Sequence, residues 1–566
     1  MAIVLASNIL SPLGMTTEEN YRAVKAGRSS LRRYDGLWGL PEPFTASLFS
    51  DGQRRDLAID GMTLFESFAL RSARAALREV PLDLPTERTV FILSTTKANG
   101  EQLTPPGMAA RRIASKLGFT TEPIVVCNAC ISGVAAIILA QRLLDGGQYD
   151  YAVVCGTDVQ SRFTVSGFQS LKAVSADDCR PFDMERMGLN LGEGAATMVM
   201  GRSERDYVQM NSCGIVECGA IRNDAFHLSS PSKNGEGAWL ALGAIDAAAD
   251  RLAFINAHGT ATMFNDQMES VAIERAGLAG VPVNGLKGYY GHMLGAAGIV
   301  ETVISLAAIR DHTILATRGF EERGVSGKIA VTTTNEPTEK TAFVKMISGF
   351  GGGNAAIKVD TSLGHPRQPG RQIQMGHVTH RVTLSPSGVT VDGKQQPVSP
   401  DLTALYKQFV GDYPKFYKMD GLSRLGFIAT ELLLQAEADD GNGGTPRFTP
   451  RDDRALVFFN RSSSVVTDRK YLETIADDNF FPSPSLFVYT LPNIVTGEIA
   501  LRNQYHGETS FFVLAERHEG LMHQVAEATC QDASVHSLVT GWLDYNGETD
   551  YEADLVIVSG VTPLAP

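Results

Sequence analysis

Four side chains able to carry nucleophilic and acid–base chemistry stand just past apolar, strand-like runs of this sequence: Cys130 after IVV, His258 after LAFIN, and Lys287 and His292 after PVN. In sheets covered on both faces, functional groups collect on loops beyond the carboxyl ends of strands. Cys130 lies in a sharp turn through Asn128 and Ala129. The small and apolar residues that follow predict a helix from about Ile131, ended by Gly146 and Gly147. A thiol at that helix mouth feels the positive end of the dipole and unpaired N–H groups, which favour the thiolate; the competing reading is a buried structural cysteine.

A thiolate with one imidazole and an orienting Asn or Asp would be a cysteine-protease arrangement. Two neutral imidazoles donating hydrogen bonds suit instead a developing enolate, as forms when a β-carboxythioester loses carbon dioxide. A backbone N–H from the glycine turn at 349–353 could complete an oxyanion hole with that of Cys130. Cys127 and Cys130 form a CxxC, but no second CxxC or CxxH lies at zinc spacing, so no metal is expected.

The elements that must position these groups read as α/β. Residues 1–205 alternate continuous apolar strands (AIVLAS, TVFILS, YAVVCG) with helical patterns, as a mainly parallel sheet buried on both faces requires. Residues 206–362 resume the alternation and carry the histidine and lysine loops. Residues 363–399 read as a polar linker with Pro and Gly, followed by a small hairpin with turns at Ser387-Gly388 and Asp392-Gly393. Residues 400–566 repeat the first unit. DGMTLFESFALRSA from Asp60 returns as DGLSRLGFIATELL from Asp420, and residues 106–130 align without a gap on 492–516, which places Glu516 over Cys130. This last unit is expected to be catalytically silent, since a carboxylate cannot form a transferable thioester.

A net charge of −13 argues against nucleic acid or an anionic membrane as the main partner. No signal peptide and no membrane-spanning run are expected, and seven cysteines, an odd number in a long chain, suit reduced thiols and a cytoplasmic location.

The ordered set resembles the β-ketoacyl-acyl-carrier-protein synthases, the condensing enzymes of fatty acid and type II polyketide synthesis. It rests on Ala129-Cys130 ahead of the helix, CRPFDMERMGLNLGEGA at 179–195, NAHGTAT at 256–262, Lys287 followed by GHMLGAAGIVE at 291–301, and GFGGGN at 349–354. The resemblance implies a thiolase-like fold, layered α-β-α-β-α with duplicated halves, to which 400–566 adds a half-thiolase-like unit similar to chain-length-factor proteins. It implies that Cys130 takes the acyl chain, that His258 and His292 drive decarboxylation of a malonyl-carrier protein, and that Lys287 orients the site near Glu301. Thr260 and Thr262 would contact pantetheine, and Phe350 and Gly351 would belong to the turn beside the acyl pocket. Ser348 stands where the family has a gating aromatic, and the segment between Ser94 and Pro105 is shorter than usual. Arg54 and Arg55 stand where the family often faces its acidic carrier. The expected partners are an acyl carrier protein, acyl and malonyl thioesters, and a ketosynthase-like subunit in a homo- or heterodimer. No cofactor of the protein's own is implied, phosphopantetheine arriving on the carrier. The alternative reading is a non-elongating decarboxylase or a scaffold of the chain-length-factor type.

Overall fold

The computed structural model describes residues 2–98, 102–202, 213–362, 373–439, 448–477 and 479–563. Most of the expected linker, and part of the short segment after Ser94, therefore lie outside the described residues. The first five strands of interest are β1 (Ala2–Leu10), β2 (Thr89–Ser94), β3 (Ile124–Val126), β4 (Tyr151–Asp158) and β5 (Gly194–Gly201). They lie side by side as β3-β2-β4-β5-β1, parallel from β3 to β4 and antiparallel beyond. Their residues are buried on both faces with few exceptions, which is why the sequence shows continuous apolar runs instead of alternation.

The next five strands, β6 (Gly214–Asn223), β7 (Leu252–Asn256), β8 (Pro282–Asn284), β9 (Ala342–Ser348) and β10 (Gly353–Asp360), repeat that order as β8-β7-β9-β10-β6 with the same directions. Antiparallel pairing of β1 with β6 joins the two sets. Between the sheets lie α1 (Ser132–Asp145), which follows the Cys130 turn, and α2 (Ala297–Arg310), which follows the His292 loop. Small residues let the two helices touch. A Cβ on Gly298 would stand 2.7 Å from the backbone nitrogen of Val134, closer than real Cβ atoms pack. The GAAG run is thus a packing requirement that brings two catalytic-type loops together. The fold is the expected thiolase-like one, with duplicated halves.

The same order occurs a third time. Strands β11 (His377–Ser385), β13 (Arg454–Asn460), β14 (Thr509–Val513), β15 (Ser537–Gly547) and β16 (Asp550–Ser559) lie as β14-β13-β15-β16-β11. The hairpin expected in the connecting stretch is present, with β12 (Gly388–Val391) turned back on β11 at the anticipated position. It is no separate element, however. Its first strand is the counterpart of β1 and belongs to the C-terminal sheet, a role that a short run with mixed polarity did not disclose.

The C-terminal unit meets the first unit along β3 and β14, which pair antiparallel with Val126 opposite Phe512 and Val125 opposite Val513. The Cys127 N–H continues the ladder to Phe511 O at 3.0 Å. The repeat offset makes Val126 and Phe512 equivalent residues, so the seam is a pseudo-two-fold axis inside one chain. Around it, buried Arg142 binds Glu508 at 2.8 Å and Asp532 at 3.5 Å, and Arg222 binds Asp532 at 2.7 Å. Burial opposes ionisation of Asp532, yet the two guanidinium groups hold its carboxyl down to about 2.

Arg142→Met would strand Glu508 as a buried carboxylate without its cation. The expected loss is about 3–5 kcal/mol, measured by chemical denaturation of the full chain. A loss below about 1 kcal/mol would mean that the ion pairs of this seam do not hold the units together.

Candidate active site

The turn that carries Cys130 is fixed from three sides. The Asn128 N–H donates to Ser132 Oγ at 2.8 Å, Ser132 Oγ donates to Ala129 O at 2.6 Å, and Asn128 Oδ1 accepts the Phe511 N–H of the C-terminal unit at 2.7 Å. Ala129 is held at φ +49°, a region that costs a residue with a side chain and that concentrates at functional turns. Residues Ala129–Ile131 form a 3-10 turn, and α1 begins at Ser132. The β9–β10 turn closes over this point. A Cβ on Gly349 would reach within 3.2 Å of the Cys130 backbone nitrogen, so only glycine fits without displacement.

His258 follows β7 and its backbone is gripped on both sides. Glu269, from the helix Met263–Arg275, accepts the His258 N–H at 2.6 Å and the Gly259 N–H at 2.8 Å. Lys287 Nζ donates to His258 O at 2.6 Å and pairs with Glu301 at 2.7 Å. Lys345, in the middle of β9, donates to Ala257 O at 3.0 Å and pairs with the other oxygen of the same Glu301. His292 is tied by its own backbone, N–H to Asn190 O at 2.7 Å and carbonyl to the Gly192 N–H at 2.9 Å. Just beyond it Leu294 takes φ +48°, and buried Asp158 accepts the Gly295 N–H at 2.6 Å.

These turns bring Cys130, His258 and His292 together, with Sγ and one nitrogen of each ring all within 4.8 Å of one another. The two rings meet edge to face, centroids 4.9 Å apart. Among the described residues this is the one grouping of three that could hold a metal ion, and it lacks the fourth protein ligand of a structural zinc site. His258 Nδ1 and both nitrogens of His292 are buried with no protein hydrogen bond. A cavity of about 320 Å³ opens on the cluster, and Thr260, Thr262, Ser348 and Phe350 line it. Thr260 and Thr262 share a hydrogen bond at 2.9 Å, and Ser348 Oγ donates to Asn354 Oδ1 at 2.7 Å. Lys287 and Glu301 lie fully buried behind the cavity, and Gly351, at φ +89°, donates its N–H to Leu228 O at 2.7 Å. Among the described residues the C-terminal unit does not line the cavity but backs it. Asn493 donates to Phe350 O at 2.8 Å, and Phe487 packs edge to face on Phe168, itself a wall residue.

Two expectations are corrected. The helix mouth does not make Cys130 a resting thiolate: burial pushes the thiol up to about 12, with Lys287 only partly offsetting it. Arg54 does not face outward to a carrier but binds the fully buried Glu193 at 2.6 Å. Its spacing from the Asp60 helix carried no sign of that distant partner. Both imidazoles are pushed well below the usual histidine range, first by burial and then by Lys287 and Lys345, and so stay neutral. Sequence reasoning missed Lys345 and Glu269. The signal available for the first was a lone cation inside the apolar strand AFVKMIS, since lysine is almost never fully buried unless paired.

A buried thiol and two neutral imidazoles thus converge in one cavity of a duplicated α/β fold. The β-ketoacyl synthase N-terminal domain matches residues 88–206, and the β-ketoacyl synthase C-terminal domain matches residues 213–321. A 3-oxoacyl-[acyl-carrier-protein] synthase 2 of Rhizobium meliloti is 34% identical over 263 residues, 42% of this chain and 61% of that protein. The enzyme of the same name from Vibrio cholerae serotype O1 is 28% identical over 63% of this chain and 97% of its own length. Among solved structures, the PfaC keto synthase–chain length factor superposes with a TM-score of 0.73 at 15% identity, covering 99% of this chain and 78% of that one. Its match extends the likeness in fold through the C-terminal unit. The likeness to β-ketoacyl synthases thus spans residues 88–206 and 213–321 of this chain.

The raised thiol and neutral imidazoles lead to a measurable expectation. Alkylation of Cys130 by iodoacetamide should be slow at neutral pH and climb continuously through the alkaline range. A plateau reached near pH 6–7, as a thiolate–imidazolium pair would give, is the contrary result.

Proposed function

We propose that this chain is an elongating β-ketoacyl-acyl-carrier-protein synthase in fatty acid or type II polyketide synthesis, with Cys130 as nucleophile and His258 and His292 as the decarboxylating pair. The observation that carries this reading is the convergence of Sγ and two unpartnered neutral imidazoles in one cavity. In the first half-reaction Cys130 Sγ attacks the acyl thioester carbonyl, and the phosphopantetheine thiol leaves with the proton. In the second, a malonyl thioester loses carbon dioxide, and its electron pair passes into an enolate whose oxygen receives hydrogen bonds from the two rings. The enolate carbon then attacks the Cys130 thioester. A C–C bond forms, the C–S bond breaks, and the product is a β-ketoacyl thioester two carbons longer.

Neutral rings suit this step because both can donate to the developing oxyanion. We assign the second oxyanion donor to the Phe350 N–H, since its neighbours Gly349 and Gly351 donate to Gly353 O and Leu228 O. Lys287 positions His258 through its carbonyl. Thr260 and Thr262, on the cavity wall, would receive the pantetheine arm. Ser348 leaves the wall open where an aromatic would narrow it, which suits bulky or rigid acyl chains. No cofactor is required beyond the arm that substrates bring. The exposed Glu516 pairs with Arg111 at 2.8 Å, and a carboxylate cannot form a transferable thioester, so residues 400–566 act as a silent partner unit. Among the described residues no helix is long and apolar enough to cross a membrane, and the seven free cysteines suit a reducing cytoplasm.

Incubation with acyl- and malonyl-carrier protein, read by intact mass, should give an acyl adduct on Cys130 and a chain two carbons longer. Cys130→Ala should abolish elongation by at least about a thousandfold while retaining malonyl decarboxylation. Decarboxylation without elongation by the parent protein would favour the non-elongating reading. An adduct on Cys127 would refute the assignment of the nucleophile.

A further inference from the structure

The Lys345 ammonium is the one buried cation at the site for which the reading above has no use, and this inference rests on that reading. It stands in β9 between Asn256 of β7 and Ile357 of β10, fully enclosed. Its two partners are the carbonyl of Ala257 and the Glu301 carboxylate, which Lys287 already engages. Lys287 holds the next carbonyl along, that of His258. Two ammonium groups therefore hold consecutive carbonyls of the loop, while Glu269 holds two consecutive amides from the other side.

We propose that Lys345 is a positioning and electrostatic residue of the condensation site: with Lys287 it clamps the 257–258 backbone, and it places a second positive charge behind both imidazoles. One carboxylate, Glu301, serves two cations, so the trio carries a net positive charge. That charge disfavours protonation of His258 and His292 and favours the anionic enolate in front of them. The other ionisable groups around the rings are Glu269 and Asp266 on one helix, Cys130 on its turn, and Asp158 beneath the His292 loop. Burial raises Glu269 to about 7, which limits the negative charge it can set against Lys345. Burial also lowers Lys345, to about 8, leaving it largely charged at neutral pH.

The sign of the effect is fixed. A nearby cation depresses an imidazole pKa, so removing the cation raises it. In Lys345→Met, the acid limb of malonyl decarboxylation should move to higher pH by about one unit. Lys345→Gln keeps a donor for Ala257 O without the charge, so it should show the same shift with a smaller loss of thermal stability. NMR titration of isotope-labelled histidines in the full chain reads the two rings without requiring turnover. Protonation of His258 or His292 should be detected at higher pH in both variants than in the parent. Ring titrations that stay at the parent's position in Lys345→Gln overturn the electrostatic role, whether or not activity falls. A parent protein that decarboxylates nothing, with the ring shifts intact, would instead count against the proposed function alone.

Discussion

The antiparallel pairing of Ile124–Val126 with Thr509–Val513 is the constraint on which the rest of the molecule depends. A three-residue strand followed at once by a strained turn cannot hold its own geometry. Here the ladder continues one residue past the strand at Cys127, and the Asn128 side chain then receives the Phe511 N–H. The C-terminal unit thus fixes the backbone two residues before Cys130, as well as covering a sheet edge that would otherwise offer unpaired N–H and C=O groups. The unit therefore supports the geometry of the Cys130 turn whatever residue stands at its own equivalent position, Glu516.

Burial is the second organising force, and it works against the helix dipole. Enclosing Cys130 raises the thiol, and enclosing the histidines lowers both rings, so the resting site is uncharged at its reacting atoms. The charges lie one layer back, as Lys287, Lys345, Glu301 and Glu269, all paired or hydrogen-bonded as buried charges must be. An arrangement of this kind stabilises charge that develops on a substrate without needing charge at rest.

The positions of Cys130, His258, Lys287 and His292 were legible in the sequence because each lies in the loop region after a strand, His292 just past the short helix Lys287–Tyr290, and strand ends are marked by the change from apolar runs to Gly, Asn and Ala. The three-fold repetition was legible in part. Two copies share sequence over 106–130 and 492–516, whereas the middle copy shares only strand order, which pattern alone does not reveal. Lys345 and Glu269 were missed for different reasons. A lysine within a strand ordinarily marks a solvent face, and a sheet covered on both sides offers none. Glu269 sits mid-helix, where a carboxylate usually means an exposed turn. Arg54 failed in the opposite direction, since its partner Glu193 lies 139 residues away.

The outer edge of the C-terminal sheet is treated differently from that of the first unit. In the first unit β1 has two neighbours, β5 on one side and β6 on the other. In the C-terminal unit β11 keeps the equivalent of β5, namely β16, and has β12 on its other side. Gly388–Val391 folds back along Val382–Ser385, the last part of β11, whereas β6 pairs with the first residues of β1, Ala2–Val4. Short edge strands and tight turns are ways in which proteins blunt an open sheet. The β11–β12 hairpin is such a device, covering with four residues the edge of β11 along Val382–Ser385.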